Sequence, residues 1–197
     1  MVQTHAKPEQ ASKTLNGIDL NALTGIIEAV KAKPEIAQAS FGVTAETRRG
    51  FQTHSKTVMP SVGGQPLAGR TKSFAFVGDH PPELLGHDVG PTAAEEVLAA
   101  LANCVSAGFT MYGAALGIPV EAVRMDLTGT VDLQGNMNLP APGVVRPGFQ
   151  RFHAKIRVKS AAPRAELEKL RDLAESTSPV KDSLRAVPYT SELIVES

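Results

Sequence analysis

"TAAEEVLAALANCVSAGF", residues 92–109, is the most regular stretch of the chain and holds its only cysteine. Ala94, Val97, Leu98, Leu101, Val105 and then Tyr112 recur at helical spacing, and alanine fills much of the rest. The pattern predicts a helix of about 25 residues, starting at Thr92 and ending near "GIP" at 117–119. So many small residues predict packing on more than one side. Cys104 lies deep inside this helix and has two readings. Free cysteine is among the most buried residue types and serves as inert filler. A reactive thiol instead needs a cation or a helix N-terminus to favour its thiolate. Nothing adjacent to Cys104 in sequence is basic, so an activating arginine or histidine has to arrive through the fold or from a partner chain.

Working outward, "HPPELLGHDVGP" (80–91) is too rich in Pro and Gly for regular structure and reads as a long, specific loop. "TKSFAFVGD" (71–79) alternates as a strand, and "MPSVGGQPLAGR" (59–70) reads as a loop. Residues 41–58 also alternate, with a turn near "RRGF". Further upstream Leu20, Leu23, Ile26, Ile27 and Val30 mark a short helix that Asp19 caps and Pro34 ends. It is expected to lie on the main body, and residues 1–17 read as a loose polar arm. Downstream, residues 120–135 and 149–160 are alternating strands around a Pro/Gly loop at 139–148. An amphipathic helix at 162–176, a short helix at 179–186 and a closing strand at 187–197 follow. Ser178 is the natural N-cap of the short helix, with Pro179 at its first position.

This order gives an α+β architecture in one domain, with an arm and short helix over 1–40 and the main domain over 41–197. One sheet and two main helices leave apolar sides of the long helix uncovered. A homodimer that shares this core is expected.

Twenty basic residues balance twenty acidic ones, so charge gives no reason to expect nucleic acid or an anionic membrane as partner. Trp is absent and aromatics are 5%, which argues against base stacking. A single cysteine excludes an internal disulfide and a CxxC zinc site. The five histidines (5, 54, 80, 87, 153) have no HxxxH or HExxH spacing, and no GxGxxG or GxxxxGK occurs. Neither metal nor nucleotide cofactor is expected. The polar start lacks the apolar segment of a signal peptide, and no run is judged to approach bilayer-spanning length. The expectation is a soluble, cytoplasmic protein with a reduced thiol.

"PPELLGHDVGP" (81–91), "GPTAAEEVLAALANC" (90–104), "AESTSPVKDSL" (174–184) and "VPYTSELIVE" (187–196) resemble the OsmC/Ohr family of thiol-dependent hydroperoxide reductases. The chain is most similar to the longer OsmC-like branch, with an N-terminal helix and an extended inter-strand loop such as "MNLPAPGVVRPGFQ" (137–150). The resemblance spans about residues 41–196. It implies antiparallel sheets around a central Cys-bearing helix, an intertwined homodimer and an active site at the subunit interface. Cys104 then matches the cysteine that attacks the distal oxygen of an organic hydroperoxide and becomes a sulfenic acid. Arg49 or Arg48 matches the arginine that supports the thiolate, and Glu95 is the nearest match to the glutamate that orients it.

The chain departs from this pattern at three places. The resolving cysteine is Ser178 in "STSPV". The position ten before the cysteine, a glutamate in the Ohr-like peroxidases, is Ala94, and the proline before it is Ala93. At about 100° per residue, Glu95 points opposite Cys104, while Glu96 is about 80° away. Plainer roles stand beside these: first-turn glutamates complementing the helix dipole, a solvated hairpin tip for the arginines, a surface position for His87. Two functions follow. One is a one-cysteine hydroperoxide reductase using an external thiol reductant. The other is a non-catalytic dimeric module that binds a small apolar ligand in its interfacial pocket. A Cys-dependent hydrolase is disfavoured, because no His/Asp pair is placed by the sequence.

Overall fold

The computed structural model describes residues 13–139 and 141–196. The chain enters through a minimal hairpin of β1 (Thr14–Leu15) and β2 (Ile18–Asp19). It turns at Asn16 and Gly17, with φ of 52° and 76°. Two successive positive φ values define a type I′ turn, and Asn-Gly is its preferred sequence. The loose-arm expectation is therefore corrected for residues 14–17; residues 1–12, with His5, lie outside the described residues. Helix α1 (Leu20–Ala32) follows, and the Asp19 carboxylate accepts from the N–H groups of Asn21 and Ala22 at 2.8 and 3.1 Å.

Strands β3 (Ala39–Arg49) and β4 (Gln52–Val62) form a long antiparallel hairpin, and β5 (Gln65–Pro66) and β6 (Ala75–Gly78) both pair with β4. After helix α2 (Ala93–Leu116) come β7 (Ala122–Val131), a helical turn α3 (Leu133–Asn136) and β8 (Phe149–Lys159). Helices α4 (Arg164–Ser176) and α5 (Pro179–Ser183) lead to β9 (Tyr189–Glu196). β7 runs antiparallel to β8, but β9 pairs with β8 in parallel. The expected antiparallel sheets are present, and β8–β9 adds one parallel pair to them. The α4–α5 crossover returns the chain to the starting end of β8, which is what a parallel pair requires.

The core lies between this mixed sheet and two helices. On β8 Phe152, Ala154, Ile156 and Val158 are buried and the residues between them are not, the period of two of a half-covered sheet. Against them pack Leu101, Val105 and Phe109 of α2, Leu167, Leu170 and Ala174 of α4, and Leu193 of β9. Each buried Val, Leu, Ile or Phe side chain among them contributes about 1.5–3 kcal/mol by leaving water. Helices α2 and α4 approach closely at Gly108, where a Cβ would sit 3.0 Å from the Cα and Cβ of Ala174. By length and composition α2 could cross a bilayer, which corrects the expectation that no run approaches that length. Leu101, Val105 and Phe109 of this helix are buried in the core.

The β3–β4–β6 sheet is different. Every residue of β3 is exposed, including Phe41 at 78% and Val43 at 56%, and Val58 of β4 is 50% exposed. The register puts Val43 and Phe76 on one face, through Ala45 opposite Ser55 and Ser55 opposite Phe76. Val43, Ala45 and Phe76 thus share a face that the described residues leave exposed, and Val58, opposite Gly42, lies on the other face.

Candidate functional site

Cys104 follows Leu101 by three residues and precedes Val105, so it sits at the edge of the buried face of α2 and is half-buried. It opens on a cavity of about 720 Å³. One wall is α1, with Ala22, Leu23 and Ile26. The α2 wall carries Cys104, Ala107 and Met111, and the third side is the junction between α4 and α5, with Thr177 and Ser178. The volume lies within the range of small-molecule sites. Among the described residues of the lining, Asp19, engaged at its cap, is the one that is charged, and none is a lysine, arginine or histidine.

The N-terminus of α2 does not supply the missing positive charge. Cys104 is eleven residues beyond Ala93, about 16 Å along the axis, and the dipole effect fades within the first turn. That terminus is instead closed on itself. Thr92 Oγ1 accepts from the Glu95 N–H at 3.2 Å, and Glu95 Oε2 accepts from the N–H and hydroxyl of Thr92 at 2.7 and 2.9 Å. These bonds hold the Glu95 carboxyl below its usual range, the Thr92 N–H contributing most and burial opposing. Sequence reasoning considered a first-turn role for Glu95 but not this reciprocal capping box. Glu96 is the half-buried neighbour, and a Cβ on Gly78 would meet its Oε1 at 3.2 Å.

Arg48 pairs with Glu46 at 2.9 Å, and Arg49 ends β3 at an exposed tip. Neither lines the Cys104 cavity of its own chain. The tip leans on the loop before α2: Phe51 stacks on His80 with ring centroids 4.5 Å apart, and His87 comes near Gly50. The loop is anchored by buried Asp79, whose carboxylate accepts from the N–H groups of His80, His87 and Val89 at 2.8, 3.1 and 3.4 Å. Burial pushes the Asp79 pKa up, but the three donors and the His87 charge outweigh it and leave it below the usual value. Nothing in the sequence reading singled out Asp79, although an acid just before a Pro/Gly loop is a residue type that accepts backbone bonds there.

Ser178 is buried and caps α5, accepting from the Lys181 N–H at 3.1 Å. It also borders the cavity that Cys104 borders. A second, more polar cavity of about 340 Å³ is lined by Glu175, Lys181 and Tyr189. Burial and the adjacent Glu175, which accepts from the Tyr189 hydroxyl at 3.2 Å, push the phenol pKa far up. Tyr189 therefore stays a proton donor.

The sequence model of OsmC-like proteins matches residues 86–192, from the loop before the cysteine helix to the last strand and over half the chain. The chain belongs to the OsmC-like family. No curated protein matches it. Among solved structures, the OsmC-like protein of Mycoplasma pneumoniae superposes with a TM-score of 0.58 at 15% identity, covering 79% of this chain and 97% of that one. An OsmC-like protein of unknown function from Vibrio cholerae gives 0.60 at 14% identity, covering 79% and 99%. The organic hydroperoxide resistance protein OsmC of Legionella pneumophila gives 0.53 at 16% identity, covering 80% and 97%. At these identities the likeness is one of fold. The OsmC-like fold read from the sequence is the fold of this chain, and in it α2 carries Cys104 to the cavity.

Proposed function

We propose that this OsmC-like chain reduces organic hydroperoxides with one cysteine and an external thiol, as a soluble cytoplasmic homodimer. The observation that carries the reading is the position of Cys104, a thiol in the wall of a largely apolar cavity large enough for an organic molecule. In the first step the Cys104 thiolate attacks the distal oxygen of ROOH and the O–O bond breaks. The alkoxide leaves with a proton as ROH, and the sulfur is oxidised to Cys104–SOH. An external thiol R′SH then condenses with the sulfenic acid, releasing water and leaving a mixed disulfide. A second R′SH frees the Cys104 thiol and departs as R′SSR′. Ser178 cannot replace the external thiol, because a hydroxyl does not form a disulfide.

Two features support a second copy. The β3–β4–β6 sheet leaves Phe41, Val43 and Val58 open, and no cation lines the cavity among the described residues. A partner sheet against α2 would bring in Arg49 or Arg48 to stabilise the thiolate. Glu95 or its neighbour Glu96 would hold that arginine. The test is turnover: consumption of cumene hydroperoxide with dithiothreitol, abolished in Cys104→Ser.

The competing reading, a non-catalytic module for a small apolar ligand, draws on the same lining and on Ser178 in place of a second thiol. It predicts binding of an apolar fluorescent probe with no hydroperoxide consumption.

A further inference from the structure

Helix α1 has an apolar face that is only partly covered: Leu20, Leu23 and Val30 are half-buried, no residue of α1 is fully buried, and Ile26 is 64% exposed. A helix held by core packing would hide this face. It is fastened instead from the hairpin before it. The Asn16 side chain donates from Nδ2 to the carbonyl of Ile118 at 3.0 Å and, more weakly, to that of Thr110 at 3.5 Å. Its Oδ1 accepts from the Val120 N–H at 2.8 Å. The C-terminal end of α2 and the entry to β7 are thereby tied to one turn residue. Gly113 gives the room, since a Cβ there would stand 2.7 Å from Asn16 Nδ2. Amide groups of Asn16 are thus spent on a connection about 100 residues away in sequence, while Leu23 and Ile26 are left facing the Cys104 cavity.

We propose that the hairpin and α1 form a substrate-binding wall, latched by Asn16, in which Leu23 and Ile26 select molecules that carry an extended apolar chain to Cys104. The ligand class follows from the lining. Among the described residues and apart from Asp19, its polar side chains are the Cys104 thiol and the hydroxyls of Thr110, Tyr112, Thr177 and Ser178, and Ser178 is committed to its cap. Three elements surround the space, which suits a small molecule better than a flat contact with another protein. The proposal rests on Cys104 as the reacting group of the reading above. Its test uses alkylation and no peroxide, so failure of the peroxidase reading leaves it standing or falling by itself.

The full chain is treated with N-ethylmaleimide or N-octylmaleimide, and the rate of Cys104 modification with each is divided by the rate with glutathione. The wild type favours the octyl reagent by about tenfold after this correction, the gain expected from roughly two buried methylenes. Ile26→Ser and Leu23→Ser each remove most of that preference, read as the ratio of the two rates. Because Ile26 is exposed, its substitution does not threaten the fold. Asn16→Ala gives the same loss by releasing the wall. A corrected ratio of one in the wild type overturns the proposal. So does an unchanged ratio in the Ile26 and Leu23 variants. A change in assembly size without a change in ratio also overturns it, since α1 would then be a subunit contact.

Discussion

Cys104 and Ser178 lie on different helical segments, one within α2 and the other at the N-cap of α5, and border the same cavity. A thiol at 178 would therefore share a space with the sulfenic acid formed at 104. With one equivalent of cumene hydroperoxide, Ser178→Cys should form an internal disulfide, with water released from the sulfenic acid, and end two hydrogens lighter than the reduced protein. The wild type should gain oxygen. Intact mass under non-reducing conditions separates the two, and peptide mapping should join 104 to 178. Oxygen gain alone, or a link between chains, would count against the pairing. The substitution also weakens a cap, so a stability loss of about 1 kcal/mol is expected.

Assembly gives the second prediction. Phe41 and Val43 on β3 stand open to water, and burying them against a second copy is the simplest relief. Sedimentation equilibrium at micromolar concentration should return twice the chain mass, and Val43→Glu should shift the population toward monomer. A folded wild-type monomer under those conditions would remove the shared site.

The elements that sequence reading recovered are those governed by local rules. The alternation of β8, the Thr92 start of α2 and the Ser178 cap each follow from neighbours within four residues. What escaped depends on distant partners. The hairpin at Asn16–Gly17 carried a readable turn signal, but it is fixed in place by Ile118 and Val120, which no local pattern reveals. Leu23 and Ile26 read as the packed face of a short helix, yet in the fold they line a cavity. Arg48 and Glu95 are site candidates by resemblance, and in the fold they pair with local partners, Glu46 and Thr92.

The loop before α2 gives a pH-dependent prediction. The folded-state pKa of Asp79 lies below its usual value, so its stabilising effect is fully present above the unfolded value of about 3.9 and fades as pH falls through the folded value. Asp79→Asn should lower the denaturation midpoint at pH 7. The gap to wild type should narrow below about pH 4. A gap constant from pH 7 to 2.5 would show that the charge of Asp79 does not hold the loop.

The central claim is that the fold places Cys104 to be oxidised by organic hydroperoxides, and stopped-flow kinetics tests it most directly. The reduced protein is mixed with cumene hydroperoxide at neutral pH, and sulfenic acid formation at Cys104 is compared with the oxidation of free cysteine under the same conditions. The expected rate constant is at least about a hundredfold above free cysteine, equivalent to about 2.7 kcal/mol of transition-state stabilisation, with no oxidation in Cys104→Ser. A rate equal to or below that of free cysteine would contradict it and leave Cys104 as a packing residue beside a ligand cavity.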